Sequence, residues 1–334
     1  MHKKTGRIDY FDWIRGIMVL WMLVYHISLN YGRITFREPE DGCSPFTFLS
    51  FFMATFYVAS GYFFSTRKDI KSFLYGKWKS LIIPYLFFSL WGIVIFELYS
   101  LISGGNLAGL QIPNSLATAS LRCNSPLWFL FSLFCCNVLY YCIQKYGGVI
   151  LTHIFVVACI VLAFLTEGHR QVLSYGNILL GISFFHMGYY LKQYHEQLQK
   201  PIIGIFFLLF FILLGVFFPS RLEFVRNVLA QGNYTLNFIF TISGCYLIWI
   251  LSQRWTHQNN IEQNIILLGR YSLVIFAFHR PVLNWIIEPL LKQVFPNISY
   301  TAFLIISLVC ILSLGGGIYK FLNYCCPQVI GISK

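Results

Sequence analysis

Residues Asp12 to Asn30 read DWIRGIMVLWMLVYHISLN, an apolar run long enough to cross a bilayer as an α-helix. Arg15 and His26 lie within this run, eleven positions apart. At about 100° and 1.5 Å per residue, their side chains point to the same face, roughly 16 Å apart along the helix axis. Ionisable side chains in a membrane-spanning helix are costly and usually face a cavity or a partner. The run therefore predicts a membrane protein with a functional face on its first helix.

The rest of the chain has the same character, with 334 residues of which 57% are apolar and only 11% charged. This composition is too apolar for a soluble globular protein. The apolar runs show no alternating polar face, which argues against a β-barrel. We therefore predict an all-α, polytopic integral membrane protein with about ten helices of about 20 residues each. The predicted spans are 12–30, 46–64, 80–101, 126–143, 149–166, 173–191, 201–218, 233–251, 267–287 and 301–321.

The distribution of basic residues predicts the orientation of these spans. With the N-terminus inside, the inner segments carry fourteen Lys and Arg residues and the outer loops carry seven. This bias follows the positive-inside rule, so both termini are expected to be cytoplasmic. No large soluble domain fits beside ten spans, and the basic start shows no small-residue cleavage site typical of a signal peptide. We expect one transmembrane domain over residues 1–334.

The net charge of +12 does not indicate a nucleic-acid-binding protein, because no polar domain carries a basic stripe with exposed aromatic residues. The ten cysteines show no metal-ligand spacing, so we predict no metal site. Cys43 and Cys123 fall in predicted outer loops and could form a disulfide in an oxidising compartment.

His26 is the strongest candidate for chemistry, because a neutral imidazole can accept a proton from a hydroxyl group. The alternative is a packed structural histidine. Arg15 is too far from His26 to fix its tautomer, and it is suited either to a phosphate or to pairing with Asp12.

His279 is the second candidate, and the predicted topology places it at a depth similar to that of His26. Pro281 follows closely and should break the helix just beyond His279, which would free backbone groups that can line a cavity. The alternative is an interfacial histidine–arginine pair near the end of the span. A third histidine within a predicted span, His186, is interpreted mainly as structural.

The inner loop before the third span, STRKDIKSFLYGKWKS (residues 65–80), contains five basic residues. Two of them, Lys77 and Lys79, lie at the expected inner mouth of the helices. Ordinary positive-inside bias can account for them. The alternative is a binding site for an anionic ligand that arrives from the cytoplasm.

Six stretches in order resemble the acyltransferase-3 family of integral membrane O-acyltransferases, and most closely its polysaccharide and fucose O-acetylase branch. The Arg-x10-His spacing of Arg15 and His26 resembles the family's first-span motif. The other stretches are FFMATFYVASGYFF, KWKSLIIPY, SPLWFLFSLF, GISFFHMGYYLK and LGRYSLVIFAFHRPV.

The resemblance implies an O-acetyltransferase of the inner (plasma) membrane that uses acetyl-CoA as donor substrate and holds no permanent cofactor. The acceptor would be a sugar hydroxyl of a surface glycan or of its lipid-linked precursor. By position, the resemblance implies that His26 is catalytic, that Arg15 is its partner and that His279 is a site residue. Many members carry Arg-x-x-Arg before the third-span proline, whereas this chain has Lys77 and Lys79 as the candidate donor contacts. Direct transfer and an acetyl-histidine intermediate both remain open.

A transporter or flippase for a lipid-linked sugar is the alternative function, since polar residues in spans can also mark a transport pathway. Such proteins often contain internal repeats with matched broken helices. No later span of this sequence mirrors Arg-x10-His.

Overall fold

A computed structural model describes residues 9–32, 48–104, 122–166, 172–218, 222–223, 228–229, 234–254 and 259–330. These residues are helical apart from turns, short irregular segments and one pair of two-residue strands, β1 (Leu222–Glu223) and β2 (Val228–Leu229), which are antiparallel. The prediction of an all-α polytopic membrane protein is confirmed. Cys43 lies outside the described residues, so the Cys43–Cys123 disulfide stays a prediction.

The helices are numbered here in chain order. They are α1 (Asp9–Tyr31), α2 (Phe52–Tyr62), α3 (Ile70–Lys77), α4 (Ile83–Ile102), α5 (Trp128–Cys142), α6 (Gly148–Leu165), α7 (Tyr175–Gln193), α8 (His195–Leu198), α9 (Pro201–Phe217), α10 (Tyr234–Arg254), α11 (Asn260–Val282), α12 (Glu288–Val294) and α13 (Tyr300–Cys325). Short π-helical turns at Trp78–Ile82, Ile143–Gly147 and Leu283–Ile287 join α3 to α4, α5 to α6 and α11 to α12. Two 3-10 segments, Arg122–Leu127 and Pro327–Ile330, precede α5 and follow α13.

Six helical stretches of the described chain are long and apolar enough to cross a membrane. They are Asp9–Tyr31, Ile70–Ile102, Asn124–Leu165, Tyr234–Arg254, Asn260–Val294 and Tyr300–Cys325. Each of the ten predicted spans overlaps a helix, and the 42-residue stretch Asn124–Leu165 overlaps two of them, 126–143 and 149–166. The chain turns between these two at Gly148, whose φ of +73° is a conformation that favours glycine. The count of ten and the cytoplasmic location of both termini stay predictions.

Local sequence explains where several helices begin. The side chains of Asp69, Asn259 and Ser299 accept hydrogen bonds from the backbone N–H three residues later, and so cap α3, α11 and α13. Proline occupies the first turn of α4, α9 and α12, where its missing N–H costs nothing. Within the apolar runs, helical hydrogen bonds satisfy backbone groups that water cannot reach, except where a proline lacks its N–H.

The helix α1 lies at the centre of the fold and packs most extensively against α11. Their backbones approach closely because glycine occupies both sides of the crossing. A Cβ at Gly16 would overlap the backbone oxygen of Ile265, and a Cβ at Gly269 would overlap that of Asp12. This close crossing brings the polar residues of the first span next to those of the ninth.

Candidate active site

Ion pairs tie the N-terminal turns of α1 to the middle of α11. Asp12 is fully buried, and its carboxylate lies 3.2 Å from the Arg15 guanidinium and 3.6 Å from that of Arg270. Arg270 also lies 3.2 Å from the carboxylate of Asp9. A buried carboxylate without cations would be strongly destabilising, so both arginines have a structural role here. The predicted pairing of Arg15 with Asp12 is confirmed.

Arg15 also lines a cavity of about 320 Å³. Its side chain remains 29% exposed, so ion pairing does not remove the guanidinium from the cavity. The remaining lining residues come mostly from α2, α5, α11 and the turn before α4. They are Phe56, Ser80, Leu81, Phe129, Leu130, Leu133, Ser272, Leu273, Phe276 and Ile330. The cavity thus carries a cation near the N-terminal end of α1 and is otherwise largely apolar.

His26 and His279 form a ring pair farther along α1 and α11. Their ring centroids are 5.2 Å apart and the planes are inclined by 32°. The common depth expected from the topology is confirmed, whereas their catalytic roles stay predictions. His26 is partly exposed, and His279 is fully buried. Only close packing of α1 on α11 brings together two residues so distant in sequence.

The tautomer of His279 follows from its hydrogen bonds. Its Nδ1 lies 2.8 Å from the backbone oxygen of Phe276 and 3.2 Å from that of Ile275. Because a carbonyl only accepts, Nδ1 must carry the proton, which leaves a lone pair on Nε2. This Nε2 and the Nδ1 of His26 are buried without a hydrogen-bond partner among the described residues. Each ring therefore has a nitrogen available for proton transfer.

One aromatic residue, Phe276, contacts both the cavity and the histidine pair. Phe276 lines the cavity, and its ring centroid lies 6.2 Å from that of His279. Phe129 packs edge-on against Phe276 at 5.4 Å and lines the same cavity. Phe276 therefore connects the wall of the cavity to the histidine pair.

Beyond the histidines, a polar network extends from the C-terminal end of α11 through the next π-helical turn into α12. Arg280 donates a hydrogen bond of 2.6 Å to Asn30, whose amide donates to Asn284 and Glu288 at 2.7 Å each. Lys292 pairs with Glu288 at 2.7 Å. This network was not predicted, although the sequence contains indications of it. Asn30 ends the first apolar run, and Arg280 directly follows His279.

Lys77 and Lys79 lie beside the cavity but are not among the residues that line it. The Lys77 ammonium is 5.6 Å from the ring centroid of Phe73, and the Lys79 ammonium is 4.4 Å from that of Tyr75. The two residues that follow Lys79 do line the cavity. The structure therefore places both lysines near the cavity wall and leaves their role as donor contacts a prediction.

A second histidine pair, His153 and His186, lies apart from the cavity. Tyr140 Oη is 2.8 Å from His186 Nδ1, His153 Nδ1 is 3.3 Å from His186 Nε2, and Tyr190 Oη is 3.0 Å from His153 Nε2. These bonds connect α5, α6 and α7, which agrees with the structural interpretation of His186.

A family model described as an acyltransferase domain matches residues 8–319 of the chain. Neither the curated proteins nor the solved structures contain a match. The matched range includes every candidate site residue discussed above.

Proposed function

Because this chain belongs to the acyltransferase-3 family and is therefore a membrane acyltransferase, we propose that it is an O-acetyltransferase of the inner (plasma) membrane. It moves an acetyl group from acetyl-CoA, bound from the cytoplasm, to a sugar hydroxyl of a surface glycan or of its lipid-linked precursor. The observation that carries this proposal is the His26–His279 pair, placed one ring beyond a cavity that carries Arg15.

The cavity suits the reactive arm of the donor. Its volume of about 320 Å³ lies at the lower end of the range for ligand pockets, so it fits a thin acyl-pantetheine arm better than a whole CoA molecule. The phosphates and the nucleotide of CoA would stay at the inner mouth, where Arg15, Lys77 and Lys79 are the candidate contacts. A guanidinium can bind a phosphate through two parallel hydrogen bonds.

The histidines supply the proton chemistry. His26 removes the proton from the acceptor hydroxyl, the hydroxyl oxygen bonds to the thioester carbon, and the carbon–sulfur bond breaks. The CoA thiolate then takes the proton back from the imidazolium. His279 stands ready to accept a proton at Nε2, because its Nδ1 is held as a donor to backbone oxygens. An acetyl-histidine on His26 is the alternative route, with the same overall balance.

The acceptor would approach from the outer side, past Asn30, Arg280 and Asn284. Amide, guanidinium and carboxylate groups are the usual hydrogen-bonding partners of sugar hydroxyls, and the network next to the histidines offers all three. A flippase without acyl transfer is less favoured, because it gives no reason for two neighbouring imidazoles with unpaired nitrogens.

The test compares cells with and without this gene, with acetyl-CoA made from isotope-labelled acetate. We expect surface glycans of the expressing cells to gain the mass of labelled acetyl groups, and mild alkali to release them. Unchanged acetylation of both surface glycans and lipid-linked sugars would overturn the proposal. A fall in the amount of surface glycan, without a change in its acetylation, would instead support the flippase.

A further inference from the structure

The helix that carries His279 has a backbone defect at that residue. In an α-helix the N–H of each residue bonds to the carbonyl four residues earlier, so position 281 should donate to Ala277. Pro281 lies inside α11 and has no N–H, so the Ala277 carbonyl loses its helical donor. His279 stands in the turn between these two residues. An unsatisfied carbonyl here would let this turn relax.

Asn124 supplies the missing donor from a distant part of the chain. Its side-chain Nδ2 donates to the Ala277 oxygen at 2.8 Å and to the Phe88 oxygen at 3.0 Å. The side chain is fully buried. Two carbonyl oxygens facing one end of the amide fix its orientation, because the reversed amide would bring oxygen against oxygen. The contact therefore connects the 3-10 segment Arg122–Leu127 to α11 and α4.

The chain makes room for this amide at Gly92 on α4. A Cβ at that position would lie 2.8 Å from the Cβ of Asn124, which is too close for undisturbed packing. The two acceptors also differ. Phe88 lies inside α4, where the N–H of residue 92 is its regular partner, whereas Ala277 has no regular partner. If Asn124 were replaced, the Phe88 oxygen would keep its helical donor, whereas the Ala277 oxygen would have none.

We propose that Asn124 is a positioning residue that holds the His279 turn by capping the Ala277 carbonyl released by Pro281. This inference rests on the proposed function for its catalytic consequence. Without the cap, the turn relaxes and the imidazole moves relative to His26. A displacement of about 1 Å from the reacting geometry can cost on the order of 100-fold in rate.

The experiment is a double-mutant cycle of Asn124→Ala and Pro281→Ala in the full chain, reconstituted in lipid nanodiscs. Alanine at 281 restores a backbone N–H and lets Ala277 regain its helical partner. We expect N124A to lower kcat of acetyl transfer about tenfold or more, with little change in the KM for acetyl-CoA. In the P281A background the same substitution should cost less than about threefold. Equal losses in the two backgrounds would overturn the proposal.

Asn137 provides the matched control. It is also a fully buried asparagine, and its Nδ2 donates to the Leu133 oxygen at 2.7 Å and to Ser60 Oγ at 3.2 Å. Asn137→Ala should lower thermal stability but leave kcat per folded protein unchanged, with no rescue by P281A. If N124A does not accumulate, Asn124→Asp repeats the cycle without leaving a cavity.

A second measurement separates this proposal from the proposed function. Ring-nitrogen NMR of protein labelled on its eight histidines reports the His279 tautomer directly, with the His279→Gln spectrum identifying the signals. N124A should shift the His279 signals and P281A should restore them, whether or not the protein transfers acetyl groups. Unshifted His279 signals in N124A would overturn the positioning role. The His279 signals could respond to N124A and P281A as expected while the wild-type protein transfers no acetyl groups. That result would count against the proposed acetyltransferase function but not against the positioning role of Asn124.

Discussion

The two histidine pairs of this protein have nearly the same separation and opposite surroundings. The ring centroids of His26 and His279 are 5.2 Å apart, and those of His153 and His186 are 5.1 Å apart. In the second pair all four ring nitrogens lie within hydrogen-bonding distance of a ring nitrogen or a tyrosine hydroxyl. In the first pair, His26 Nδ1 and His279 Nε2 are buried with no partner among the described residues.

The difference shows how the same side chain serves structure in one place and chemistry in another. A histidine whose nitrogens are all hydrogen-bonded ties helices together and has no free lone pair to offer a substrate. A buried nitrogen without a protein partner is costly, and in a native structure it calls for an explanation such as a catalytic role, a ligand or an ordered water. We therefore expect substitutions in the first pair to lower activity and substitutions in the second to lower stability.

The largest effect is expected from His26→Ala. Loss of the base should lower the rate of acetyl transfer about 10³- to 10⁴-fold, in the upper part of the range for acid–base catalysis. Rates are measured with labelled acetyl-CoA and normalised to the amount of folded protein from size-exclusion chromatography. Near-normal transfer by a folded His26→Ala protein would contradict the catalytic role of the first pair, because the pair with unpaired nitrogens would then be dispensable.

His279→Gln should have the next largest effect, a loss of about 100-fold in transfer rate. Glutamine keeps a polar group in the buried position but cannot accept and release a proton. The matched variant is His186→Gln in the other pair, which should keep the transfer rate of the folded protein. If both glutamine variants lost activity equally, the difference in hydrogen bonding would not distinguish the two pairs.

Arg15→Lys tests whether acetyl transfer at the first pair requires Arg15, in the neighbouring cavity, as a contact for a donor phosphate. Lysine keeps the charge and can still pair with Asp12, but it loses the planar fork that binds a phosphate through two bonds. We expect about a tenfold lower kcat/KM for acetyl-CoA, mainly through a higher KM. The control is Arg254→Lys at the exposed end of α10, which should behave as wild type. An unchanged KM in Arg15→Lys would limit Arg15 to its ion pair with Asp12.

The sequence alone predicted the helical fold and much of the first pair. Arg15 and His26 follow from helical periodicity within one run, and the depth of His279 follows from loop charges. Helical periodicity is a local property, and the loop charges are summed along the chain. Both can therefore be read from the sequence without knowledge of the tertiary structure. The expected helix break at Pro281 is wrong, because α11 continues through it to Val282, and the Ala277 carbonyl accepts a hydrogen bond from Asn124 instead of lining the cavity.

The partners of these residues could not be predicted, because they are set by tertiary packing. Arg270 reaches Asp9 and Asp12 across more than 250 positions of sequence, and Asn124 reaches Ala277 across 153. No periodicity links such positions. The hydrogen bonding of all four ring nitrogens of His153 and His186 likewise depends on where α5, α6 and α7 meet. A single sequence does not specify that meeting point.

The smallest effect is expected from His153→Ala in the second pair. This exposed side chain makes hydrogen bonds of 3.3 Å to His186 and 3.0 Å to Tyr190, so its loss should lower stability by about 1 kcal/mol. Thermal unfolding in detergent should show a slightly lower Tm, while acetyl transfer stays at the wild-type rate. Val157→Ala, one turn later on the same helix and also exposed, controls for the loss of side-chain volume. A loss of transfer in His153→Ala without a change in Tm would mean that hydrogen-bond saturation does not mark a structural histidine in this protein.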